Sequence, residues 1–272
     1  MAPPSSLSPR PLLTAPAHRR FLLKKLHSLS GVFPVGIFMV FHLWTNAKAL
    51  GGQEVFDAAV RDLERLPYLP VLEAAILLPL AFHALYGVVL TLEGRSNLRQ
   101  YTYTRNWMYT LQRFSGLIAF LFLMYHLWEL RYPKATGVLT STGFYPTLCA
   151  RMSSTISGVP VVGLVYVLGV AACVFHLANG LWGFCVSWGV LLTRASQRTG
   201  ALAFGLAGLL LFLLGIHTIL YFATGSCSLT PRTSAAPLSP RRSVELLRPR
   251  AVALAPGPLA MGHRPAVSGG PS

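Results

Sequence analysis

Residues 105–131, RNWMYTLQRFSGLIAFLFLMYHLWELR, constrain the fold more than any other stretch. Arg105 and Arg113 precede the run, Glu129 and Arg131 close it, and no charged side chain occurs from Phe114 to Trp128. A span of about 20 apolar residues at 1.5 Å rise crosses a bilayer as a helix. Inside it sits His126, and an ionisable side chain at bilayer depth needs a partner or a function. Three further apolar segments each carry one such histidine: His42, His83 and His176. Only 11% of the 272 residues are charged and mean hydropathy is +0.53, against about 25% charged in soluble domains.

The chain reads as an all-α membrane protein with five transmembrane helices. The spans fall at about 27–49, 70–92, 105–131, 159–192 and 201–224, and Pro34 lies near the start of the first. Residues 50–67 and 132–157 read as polar connections, the former a solvated amphipathic loop. Residues 1–19 and 226–272 are rich in Pro, Ser and Ala and read as disordered segments flanking a membrane domain over 20–225. The net charge of +15 fits membrane topology better than nucleic acid, because no soluble domain is present to hold a nucleic-acid site. Eleven basic residues fall on the side of the N-terminus and six on the other, which puts the N-terminus in the cytoplasm. The four cysteines form no C-x-x-C pair, which argues against a zinc knuckle, an iron–sulfur cluster or covalent haem.

Depth pairs the histidines. His42 lies 17 residues after Lys25 and His126 five before Arg131, so both belong to the outer half. His83 lies 12 residues before Arg95, and His176 sits near the middle of the fourth span. His42 therefore pairs with His126 and His83 with His176. Haem b needs only axial imidazoles and an apolar pocket, so two such pairs suit two haems. Gly87, Gly116 and Gly180 would let a flat macrocycle approach closely. His27 and Ser28 at the edge of the first span, and Arg113 at the start of the third, are candidates to hold haem propionates. His217 reads as a core histidine. Glu73, in the outer half of the second span, is a candidate to protonate a quinone. A hydrogenase or formate dehydrogenase cytochrome b, and a histidine-coupled transporter, remain as other readings.

Four blocks carry a resemblance: KKLHSLSGVFPVGIFMVFHLWTN, LPLAFHALYG, YTYTRNWMYTLQRFSGLIAFLFLMYHLWELR, and FHLANGLWGFCVSWG followed by SQR. The chain resembles the five-helix, di-haem cytochrome b membrane anchors of succinate dehydrogenase and fumarate reductase. The resemblance implies that helices I–IV form a haem-binding bundle with the fifth packed beside it. It implies His42 and His126 on a distal, low-potential haem and His83 and His176 on a proximal, high-potential one. It further implies a flavoprotein subunit, an iron–sulfur subunit and a membrane quinone, menaquinone by family habit, as partners in a bacterial inner membrane. No nucleic acid is expected. Some members carry a glutamate two residues before the proximal ligand, where this chain has Val174, so a proton route of that kind is not expected here.

Overall fold

The computed structural model describes residues 15–94 and 98–224. Arg95, His263 and the segments 1–14 and 225–272 lie outside the described residues. The described residues form helices and turns with no strand, and five helical stretches among them are long and apolar enough to cross a membrane.

The first span covers Ala17–Gly51 and starts well before its expected boundary. Basic side chains in its first turns do not stop a helix, because their stems lie along apolar surface while the charges reach water. Pro34 therefore sits midway and divides the span into α1 (Ala15–Val32) and α2 (Val35–Asn46), since proline cannot donate the next helical hydrogen bond. The connection expected to be a solvated loop folds instead as α3 (Gln53–Glu64), which buries Phe56 and Asp57. Phe56, Val60 and Leu63 recur at helical spacing, while Glu54, Arg61 and Asp62 are exposed.

The second span, α4 (Leu69–Glu93), opens with Pro70 in its first turn and carries Pro79 one turn before His83. No residue of α4 is fully buried, so it is the most loosely packed of the five. The third span comprises α5 (Thr104–His126), a π-helical turn over Leu127–Arg131 and the short α6 (Tyr132–Ala135). Residues 132–157, expected to be a polar connection, also contain α7 (Phe144–Met152), which buries Tyr145, Leu148, Cys149 and Met152. The fourth span, α8 (Val161–Ser187), is shorter than expected. Gly189 at φ 77 takes the left-handed turn that ends it, with Val190 N–H reaching back to the Cys185 carbonyl. The fifth, α9 (Arg194–Thr224), starts earlier than expected because Thr193 and Ser196 cap each other's backbone N–H groups at 3.1 Å.

Helix α8 packs most extensively against α9 and α5, and α1 packs against α4. Close approach explains the α8–α9 pair: a Cβ on Gly208 would lie 2.8 Å from that of Ala178, and one on Gly215 equally close to Val170 Cγ1. The best-buried apolar residues gather at one end of the bundle, where Phe56, Tyr145, Leu148, Met152 and Phe222 interlock beneath α3 and α7. We call this the capped end. The other is the basic end, where Arg20 pairs with Glu93 and Lys25 reaches the Ser187 carbonyl.

Candidate haem-binding cavity

A single cavity of about 2150 Å³ runs through the bundle and is lined by His27, His42, His83, His126 and His176. It exceeds the roughly 300–1,000 Å³ of a pocket for one drug-sized ligand. Two pairs of rings meet in it. His42 on α2 and His126 on α5 lie toward the capped end, with ring centres 5.8 Å apart and planes at 79°. His83 on α4 and His176 on α8 lie toward the basic end, 6.1 Å apart at 84°.

These separations can be compared with a bis-imidazole metal site. With metal–nitrogen bonds of about 2.0–2.1 Å and roughly 1 Å from nitrogen to ring centre, two rings on one ion stand about 6 Å apart. Both pairs match. Among the described residues no group of three or more His, Cys, Asp or Glu could hold a metal ion.

At the basic end the rings are oriented by backbone. His83 Nδ1 lies 2.8 Å from the His27 carbonyl and His176 Nδ1 lies 3.0 Å from the Gln112 carbonyl. These contacts suit the tautomer with the proton on Nδ1 and the lone pair on Nε2; at His176 the Gln112 carboxamide nitrogen also lies 3.2 Å from Nδ1. Glycines make room for both rings. A Cβ on Gly31 would fall 2.2 Å from His83 Cε1, and one on Gly116 would fall 2.8 Å from His176 Cε1. The sequence singles out Gly116 without its partner and does not single out Gly31. The helix register decides both, and no single-chain pattern encodes it. Gly87 stands against His27 rather than His83, and Gly180 against Gln112.

The capped-end rings rest on aromatic side chains. Phe38 packs on His42, and Phe122 and Tyr166 pack on His126. Asn46 Nδ2 approaches His42 Nε2 at 3.3 Å, while His126 Nδ1 is buried with no hydrogen-bond partner among the described residues. Close by, the Glu129 side chain is only 5% exposed; it accepts from Tyr166 Oη at 2.8 Å and Arg151 Nε at 2.5 Å. The sequence analysis used Glu129 only as a span boundary.

The remaining candidates are also placed. His27 stacks on His83 at 4.1 Å, its Nδ1 buried without a partner among the described residues, and Ser28 lines the cavity beside it. Arg113 lies over the Tyr109 ring at 4.2 Å, bonds its hydroxyl, and lines the basic end of the cavity. Glu73 pairs with Arg131 at 2.7 Å on the cavity wall toward the capped end. His217 is exposed on α9 rather than in the core, and Val174 is 3% exposed.

No protein-family model matches this chain. It is 40% identical over 182 residues to the succinate dehydrogenase cytochrome b558 subunit of Bacillus subtilis (strain 168), covering 66% of this chain and 86% of that protein. The chain belongs to the family of succinate dehydrogenase cytochrome b subunits. A cytochrome b of this family binds haem b, and the paired imidazoles of the cavity fit that group. The five spans make the chain a membrane protein, and the relative places it with bacterial ones.

Proposed function

We propose that this chain is the di-haem membrane anchor of a succinate:quinone oxidoreductase, passing electrons between an iron–sulfur subunit and a membrane quinone. The observation that carries this reading is the presence of two facing imidazole pairs, 5.8 and 6.1 Å between ring centres, in one continuous apolar cavity. His83 and His176 hold the haem nearer the basic end, and His42 and His126 hold the one nearer the capped end. Bound haem b supplies a one-electron carrier whose potential the protein tunes through ligands, burial and hydrogen bonds.

The chain's own residues orient and surround that chemistry. Arg113, His27 and Ser28 sit where a propionate at the basic end would find a cation and donors. The Glu73 carboxylate, held by Arg131, stands at the capped-end wall, where quinone reduction requires protons. Menaquinone is the quinone that the family resemblance favours. The flavoprotein and iron–sulfur subunits dock at the basic end, which faces the cytoplasm of a bacterial inner membrane with the N-terminus. Charge bias favours that orientation.

A reduced-minus-oxidised spectrum of the chain purified with its partners tests the reading. A b-type band with two haems per polypeptide, co-purifying with a succinate-oxidising flavoprotein, is expected. A colourless chain isolated with iron in supply contradicts it.

A further inference from the structure

We propose that Gln112 and Asn179 are positioning residues that fix the orientation of His176 and thereby tune the basic-end centre alone. This rests on the haem reading of the His83–His176 pair. Both are uncharged polar residues inside apolar spans, where an unsatisfied polar group is costly. They satisfy each other across the α5–α8 interface. Asn179 Nδ2 donates to Gln112 Oε1 at 2.7 Å and to the Met108 carbonyl at 3.2 Å. Gln112 Nε2 donates to the His176 carbonyl at 3.0 Å. The clamp thus ties the backbone of His176 to the same residue whose own carbonyl takes the His176 Nδ1 proton at 3.0 Å.

Three features make this more than helix packing. Gly116, one turn after Gln112, leaves the His176 ring free to approach α5. Ser115 Oγ and Gln112 Nε2 stand 3.4 and 3.2 Å from the same Nδ1, so side-chain polar atoms of α5 gather at that edge of the ring. A hydrogen bond from the non-ligating nitrogen fixes the tautomer and raises ligand basicity, and loss of such partners costs about 10–100-fold in metal affinity or activity. His83 has the His27 carbonyl but no carboxamide clamp of this kind among the described residues. The two ligands of one centre are therefore held with unequal stiffness, and His176 is the stiffer.

The test uses the complete complex with Gln112→Glu, Gln112→Met and Asn179→Ala. Haem per chain, redox titration and ferric electron paramagnetic resonance are read on each. Gln112→Glu places a carboxylate beside the Nδ1 proton, which favours the ferric state. The basic-end ferric-to-ferrous ratio at fixed poise should rise about tenfold, a shift of about 59 mV for one electron, with the capped-end centre unmoved. Gln112→Met and Asn179→Ala should change the ferric signal of the basic-end centre alone. A purely structural tie would lower the melting temperature and leave potential and signal in place. That outcome overturns the proposal, whether seen in the Gln112 variants or, if they do not accumulate, in Asn179→Ala. His176→Leu, which offers iron no ligand, separates the two levels: if it keeps two haems per chain, the haem reading of the pair fails.

Discussion

The two histidine pairs are alike in spacing and ring angle but held by different means. At the basic end each Nδ1 is directed to a main-chain carbonyl, and glycines clear the space that each ring occupies. At the capped end the rings lean on Phe38, Phe122 and Tyr166, and His126 Nδ1 has no partner among the described residues. One pair is oriented by hydrogen bonds to the main chain and the other by aromatic packing, with one carboxamide, Asn46, against His42. A main-chain carbonyl is fixed by its helix, so a ring bonded to it is preorganised as rigidly as the helix itself. A ring set by neighbouring side chains is only as well placed as their packing.

Mutations that alter one means of support should disturb one centre and spare the other. The largest effect is expected from Gly31→Val. The added side chain meets the His83 ring, whose Cε1 would lie 2.2 Å from even a Cβ. The basic-end haem should be lost while the capped-end haem stays, read as half the haem per chain. Tyr166→Phe comes next. It removes a donor from the buried Glu129 carboxylate, and a hydrogen bond to a charged group is worth about 1.5–3 kcal/mol. The melting temperature should fall, and the capped-end spectrum should change while the basic-end one does not.

Asn46→Leu should do less. It removes the bond to the His42 carbonyl, worth about 0.5–1.5 kcal/mol, and the carboxamide beside the His42 ring. Both haems should remain, with a small capped-end shift in a redox titration. Arg20→Ala should do least. Its ion pair with Glu93 is exposed, so thermal melts and both haem bands should match the parent. A change at the capped end caused by Gly31→Val, or at the basic end caused by Tyr166→Phe, would dissolve the distinction between the two.

Much of this arrangement was legible in the residues. Apolar length gives the five spans, and distances from flanking charges give depths that match the ring pairs. The capped end was not legible, because α3 and α7 are short and polar on one face, so charge density hid the stripe of Phe56, Val60 and Leu63. The position of Pro34 within its span was hidden for a related reason: basic residues from Arg19 to Lys25 look like a boundary yet lie within α1. Asn179 could be noticed as part of an H-x-x-N pattern, and Gln112 as a polar residue in an apolar run. That they meet depends on the register of α5 against α8, which only the packed structure fixes.

The most direct measurement is haem content with its electron paramagnetic resonance spectrum for His83→Ala and His126→Ala, each purified in the full complex. Each variant should retain one haem per chain, and the signal lost in one should be the signal kept in the other. The parent should show two low-spin ferric signals of the strongly anisotropic kind that near-perpendicular axial rings produce. Two haems in both variants, or loss of the same signal from both, would contradict the assignment of one centre to each pair.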